Sequence, residues 1–258
     1  VTHYHLWLDF ETTGLNPRKD TVLEAGWTIT DENLVMLTPL RSRLCHISPQ
    51  HEKFAIGGDD DGDWKSLPAV VREMHETSGL RDSLEFANVN PVENLRLLTT
   101  ARDLERLLRE DLAAAGYDRF DDTLILSGAG VSHFDNRVLG YHLPAMFPLG
   151  GNGSTGYAYW QHDVSVARRV IGEQAWDYLK SRINSDKVAR SIYGCQVVVP
   201  SEGYAPVRVN AIPDAEEFGT APFMFMPDEF IPHRAADDVA QALIDGRILC
   251  AANSWHLA

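Results

Sequence analysis

Three apolar, β-rich runs open the chain, HYHLWLDF, TVLEAGWTIT and LTPLRSRLCHI, separated by turn formers such as Gly14, Asn16, Pro17 and the stretch Asp31 to Asn33. This pattern predicts three consecutive strands in an antiparallel meander. The period then changes. SLPAVVREMHETSGL has Pro68 near a helix start and Val70, Val71 and Met74 at helical spacing. TTARDLERLLREDLAAAG carries the clearest helical pattern: Thr99 or Thr100 can cap it, Leu104, Leu107, Leu108 and Leu112 form an inner stripe, and Gly116 ends it. DTLILSG reads as a buried strand, FDNRVLGYHLPAMF and DVSVARRVIGEQAWDYLKSR as helices, and AADDVAQALIDGRIL as the last helix. Ile192 to Phe230 is strand-like and proline-rich with no helical period, and reads as an inserted β segment or lid. Strands in a meander, then a helix, a strand and further helices predict an α/β domain with a mixed sheet.

A length of 258 residues suits one elaborated domain, and length alone decides nothing between one and two. The formal charge of −14 argues against a protein that grips long nucleic acid by neutralising phosphates, which requires a basic footprint. A short nucleic-acid substrate held through metal ions stays compatible with it. No apolar run approaches the roughly 20 residues of a membrane span, and the first residues do not combine a basic region with an apolar core. The expectation is a soluble, cytoplasmic protein. Cys45, Cys195 and Cys250 are scattered and lack C-x-x-C spacing, so they read as buried thiols rather than as a disulfide or zinc framework.

The candidate chemistry begins at the end of the first run. Asp9 and Glu11 are separated by one residue, so strand alternation puts both carboxylates on one face where the strand opens into a loop. A lone pair of this kind also fits an outward-facing edge in water. Asp135 follows the strand TLILSG and opens a helix, and Asp238 lies in the first turn of the last helix. Each alone is ordinary capping and dipole chemistry. His233, five residues before Asp238, completes the inventory of a metal-assisted hydrolase if these groups converge. Phosphodiester cleavage needs an activated water and charge neutralisation on the attacking and leaving oxygens, which two divalent ions about 4 Å apart provide. Magnesium and manganese prefer oxygen ligands, and a histidine can take the proton from the water.

These residues resemble the motifs of the DEDDh 3′-to-5′ exonucleases: DFETTGL the first, SHFDNRVL the second, and HRAADD the third, with H-x4-D spacing. Within that DnaQ-like superfamily the chain is most similar to oligoribonuclease, because EMHETSGL resembles M-H-x-x-S-G-L, YWQHDVS resembles Y-R-x-x-D-V-S, and HRAADDV resembles H-R-A-L-D-D-I. The resemblance implies an RNase H-like mixed central sheet flanked by helices, in one exonuclease domain over 1–258 with a family-atypical insert at about 185–230. It implies that Asp9, Glu11, Asp135 and Asp238 hold two Mg2+ or Mn2+ ions and that His233 is the general base. Leu15 matches the apolar residue that wedges between substrate bases, with Thr12 and Gly14 beside it, and His75 falls in the base-pocket segment. Tyr159 matches the tyrosine that family dimers present to the neighbouring subunit's substrate, which implies a homodimer. The expected substrate is a short single-stranded RNA, degraded to nucleoside 5′-monophosphates. Three features depart from the family: the first motif reads DFETTGL rather than D-L-E-M-T-G-L, Trp160 stands where the family has an arginine, and the connection before HRAADD is longer.

Other motifs fail their own context tests. GGDDDGDW lacks the spaced ligand series of a calcium loop. TLILSGAGVSHF has His133 where a dinucleotide fingerprint needs its last glycine, GGNGSTG lacks the lysine of a phosphate loop, and no G-x-S-x-G is present. Two other readings stay open: a DNA-directed or sugar-indifferent exonuclease, and a non-catalytic nucleic-acid-binding module.

Overall fold

In the computed structural model the alternation of HYHLWLDFET divides between the two faces of a central strand, β1 (His3–Thr12). The structure describes residues 1–48, 56, 62–89, 98–144, 157–158, 161–182, 192–199, 207–210, 222–224 and 231–256. β1 pairs antiparallel with β2 (Val22–Thr30), and β2 antiparallel with β3 (Arg41–Ile47), so the expected meander is present. On its other edge β1 pairs parallel with β4 (Thr123–Gly128), and β4 with the short β5 (His162–Asp163). The order β3-β2-β1-β4-β5 gives the mixed sheet, flanked by helices, that an RNase H-like domain requires.

Leu6, Leu8 and Phe10 face one side and pack with Trp27, Leu104 and Leu108, the last two from α4 (Ala101–Ala114). Trp7 faces the other and packs with Leu243 and Ile248 of the final helix, α8 (Ala235–His256). Each fully buried side chain of this size contributes roughly 1.5–3 kcal/mol, so the sheet is held by a helix layer on each face. The inward face of α4 also carries an acid. Asp111 accepts hydrogen bonds from Trp27 Nε1 at 2.8 Å and from the Arg41 fork at 2.6 and 2.8 Å, which satisfies the buried carboxylate and ties α4 to β2 and β3. Thr100 caps α4 by accepting from the Asp103 N–H. Thr100→Ala is expected to lower stability by about 1 kcal/mol in urea denaturation.

Three shorter helices, α1 (Gly62–Ser66), α2 (Ala69–Thr77) and α3 (Leu80–Val89), bring Trp64, Leu80 and Leu84 against Leu23 and Leu44. The helical pattern over SLPAVVREMHETSGL did not announce a second helix, α3, immediately after it. Gly79, at φ 70, reverses the chain there, and Leu80 and Leu84 re-enter the core one helical turn apart. α5 (Asp135–His142) begins where expected. The single helix expected over DVSVARRVIGEQAWDYLKSR is instead two, α6 (Val164–Ile171) and α7 (Glu173–Arg182), because Gly172 sits at φ 80, outside helical space. Within the segment expected to be β-rich, β6 (Tyr193–Val199), β7 (Val207–Asn210) and β8 (Pro222–Met224) form an antiparallel sheet in the order β7-β6-β8. The rest of the 185–230 insert falls largely outside the described residues, as do Gly57 to Asp61, Gly150 to Gly156, Tyr159 and Trp160. Among the described residues no helix is long and apolar enough to cross a membrane.

Candidate active site

Two local features gather the acids at the C-terminal end of β1. The parallel ladder with β4 ends at Trp7 and Ser127, so the backbone beyond it has hydrogen-bonding capacity to spare on that edge. The Phe10 N–H donates to Asp135 Oδ1 at 3.0 Å, which draws the first residue of α5 onto β1 and buries it to 2% exposure. On the opposite edge Asp9 is paired with Gly26 of β2, and a Cβ on Gly26 would lie 2.3 Å from the carbonyl carbon of Ala235. Only glycine lets the start of α8 rest on the sheet there. Asp238, in the first turn of α8, is thereby brought to Glu11: one donor atom each from Glu11, His233 and Asp238 lie within 4.8 Å of one another. Gly26→Ala is expected to displace α8 and to lower stability, read by thermal melting.

The crowding has an electrostatic consequence. Burial, then the neighbouring Asp135, Glu11 and Asp238, hold the Asp9 carboxyl well above the usual carboxylate range. Burial followed by Asp238 does the same to Glu11. Burial pushes Asp135 up to about 7 despite the Phe10 hydrogen bond, and Asp238 up to about 6. Glu11 and Asp238 lie close enough that the charge on Asp238 is, after burial, the largest influence raising the Glu11 pKa. Asp9 Oδ2 is buried with no hydrogen-bond partner. An inward-facing orphan oxygen among acids that resist ionisation is the donor set that a hard divalent cation satisfies, so the residues fit such ions.

His233 sits in the loop before α8 at φ 60, in the left-handed region, with its side chain exposed and its N–H donating to Asp238 Oδ2 at 3.1 Å. Its neighbour Arg234 turns inward. The guanidinium donates to both Glu24 oxygens at 3.0 and 2.9 Å, the Ala235 N–H donates to Glu24 at 3.0 Å, and Ser42 Oγ donates to it at 2.6 Å. Burial pushes the Glu24 carboxyl up, but Arg234 outweighs it and holds the group ionised below its ordinary value. Glu24 stands opposite Glu11 in the β1–β2 ladder, so this pair clamps the His233 loop beside the carboxylates. Sequence reasoning missed both residues. The available signal was an acid inside the apolar run TVLEAGWTIT, the same anomaly that marked Asp9 and Glu11. Arg234→Met should cost about 3–5 kcal/mol by stranding a buried charge, and adding Glu24→Gln should recover part of it, as measured by denaturant unfolding.

The remaining expected residues divide. His75 is fully buried in α2 rather than open to a substrate base: its Nε2–H donates to the Thr12 carbonyl at 2.9 Å, and Nδ1 lies 3.8 Å from Glu11 Oε2. Burial lowers its pKa, so the ring is neutral and this contact is not an ion pair. Leu15 is 79% exposed on the loop after β1. Thr12 Oγ1 donates to the Gly14 carbonyl at 2.6 Å, which shapes that loop. Asp163 of the DVS motif caps α6 and also accepts from Gly130 N and from Ser132 N and Oγ, organising the loop that leads to Asp135. Burial would raise its pKa, but these hydrogen bonds and those from Ser165 bring it down to about 2.

No family model matches the chain. Over 97 residues it is 32% identical to the oligoribonuclease of Chromobacterium violaceum, covering 38% of this chain and 47% of that protein. Over 98 residues it is 36% identical to the oligoribonuclease of Tropheryma whipplei, covering 38% of this chain and 46% of that protein. The chain spans about half the length of these curated relatives. Among solved structures, E. coli Exonuclease I in complex with a 5cy-dT13 oligonucleotide is similar to this chain over 98% of its length and 41% of the other, at 14% identity and a TM-score of 0.44.

Proposed function

We propose that the chain is a metal-dependent 3′-to-5′ exonuclease of the DEDDh type that degrades short single-stranded RNA to nucleoside 5′-monophosphates. The observation that carries this reading is the convergence of Asp9, Glu11, Asp135 and Asp238 at one end of the sheet with His233 beside them. The four carboxylates would hold two divalent ions, Mg2+ or Mn2+. When bound, these ions supply positive charge to the attacking and leaving oxygens of the phosphodiester. His233, exposed and held at its backbone by Asp238, is placed to take the proton from the attacking water and to pass it to solvent. Attack on the last phosphorus breaks its bond to the 3′ oxygen of the preceding nucleotide, which takes up a proton as the 5′-monophosphate leaves. Phe10 N–H fixes Asp135 and the Glu24–Arg234 pair fixes the histidine loop, so the positions are set before substrate arrives. Thr12, Gly14 and the exposed Leu15 would border the 3′-terminal nucleotide.

Short RNA is favoured by the similarity to oligoribonucleases and by the charge of −14, which disfavours long polyanions. The test incubates 5′-labelled RNA and DNA hexamers of one sequence with Mg2+ or Mn2+. Stepwise release of monophosphates from the 3′ end of RNA, faster than from DNA, is expected. Equal rates would assign a sugar-indifferent exonuclease, and binding without release under either metal would leave a binding module.

A further inference from the structure

We infer, on the reading of the four carboxylates as the metal site of an exonuclease, that His75 is a positioning residue for Glu11: through the Thr12 peptide it holds the end of β1 in the one conformation that aims the Glu11 carboxylate at the cation side of the cluster.

β1 leaves its regular ladder just where Glu11 has to be aimed. The register with β2 shifts between Glu11 and Thr12. At such an irregularity the strand bends and the ladder no longer fixes every peptide, so a contact from outside the sheet decides which way the next carbonyl faces. His75 supplies that contact from α2, its Nε2–H donating to the Thr12 carbonyl at 2.9 Å. The donor itself is held firmly. His75 is fully buried, its ring centroid lies 6.3 Å from that of the buried Trp64, and Trp64 Nε1 donates to Glu76 of α2 at 3.0 Å. Ser78 Oγ closes the end of the same helix by donating to the His75 carbonyl at 3.3 Å.

The other ring nitrogen works in the same direction. A neutral imidazole that donates through Nε2 has a bare lone pair at Nδ1. That nitrogen is buried without a hydrogen-bond partner and lies 3.8 Å from Glu11 Oε2. It offers an ionised carboxylate no hydrogen bond, so nothing on this side competes with a cation for the Glu11 oxygens. Asp238 and His233, whose donor atoms lie within 4.8 Å of that of Glu11, mark the other side. A ring with no exposed surface also has no face on which a substrate base could stack. Groups that orient a metal ligand in this way set its affinity for the ion, and their loss costs about 10–100-fold.

The experiment measures Mn2+ binding by the purified chain in the absence of nucleic acid, from loss of the free-ion signal in electron paramagnetic resonance, for the wild type, His75→Gln and His75→Asn. The glutamine amide reaches about as far as Nε2 and can donate to the Thr12 carbonyl, whereas the shorter asparagine cannot. Both variants lose the ring and keep a polar amide, so a purely structural loss falls on both. His75→Asn is expected to weaken Mn2+ binding by about tenfold or more, and His75→Gln to stay within about threefold of the wild type. Equal Mn2+ affinity in the two variants, weak or wild-type-like, overturns the role. A raised KM for a short RNA with unchanged Mn2+ binding in His75→Asn also overturns it, in favour of a substrate contact. The exonuclease reading fails separately: Mn2+ binding in the expected order with no nucleotide released from RNA defeats that reading and leaves His75 as the support of Glu11.

Discussion

Asp135→Asn should lower turnover on a short RNA by at least about a thousandfold while raising the thermal midpoint of the metal-free chain. Both effects have one cause. Asp135 is 2% exposed with its pKa pushed up to about 7 by burial, so the folded site holds a proton that the unfolded chain releases near pH 4. Between about pH 4 and 7 the native state binds more protons than the unfolded state, and stability falls as pH rises through that window. Above it the cost is fully present. Asparagine keeps an oxygen that can accept from Phe10 N–H but never ionises, so at pH 8 it should recover about 2 kcal/mol, or roughly 5 °C. It also removes a ligand charge. Mn2+ should raise the wild-type midpoint and leave that of Asp135→Asn nearly unchanged. A variant with wild-type turnover, or one stabilised equally by Mn2+, would remove Asp135 from the site.

His233→Asn should reduce kcat by about 10²–10⁴. Asparagine is the cleaner replacement because the residue sits at φ 60, where alanine adds backbone strain of about 1 kcal/mol that asparagine largely avoids. His233 also lies within 4.8 Å of the Glu11 and Asp238 donor atoms, so two roles must be separated. As a base it sets the rate and leaves the midpoint of a Mn2+ titration in place. As a ligand it moves that midpoint at least about tenfold. An unchanged kcat would exclude the base role.

Much of this was legible because it is local. Alternation placed Asp9 and Glu11 together on β1, and the leucine period with the Thr100 cap defined α4. Gly172 and Gly79 were visible as residues but not as breaks: a glycine within a helical pattern is tolerated until tertiary packing selects a positive φ. The convergence of Asp135 and Asp238 was beyond local pattern, since each looks like an ordinary helix-start acid. What joins them to β1 is the Phe10 N–H, which donates to Asp135, and the close approach of Ala235 to Gly26, both between segments more than a hundred residues apart. The same limit applied to His75 and to the Glu24–Arg234 pair. The resemblance put His75 in a base-pocket segment but could not say that it lies buried beside Glu11.

Removal of nucleotides from the 3′ end of short RNA by one acidic cluster can be followed in a single time course. A 5′-labelled RNA hexamer is incubated with the purified chain at pH 8 in Mn2+, with EDTA and with Asp135→Asn as parallel arms. The expected result is a descending ladder of labelled products one nucleotide apart, with nucleoside 5′-monophosphates accumulating, and intact hexamer in both parallel arms. Intact hexamer in the Mn2+ arm, or a ladder that persists in EDTA or in Asp135→Asn, would contradict it.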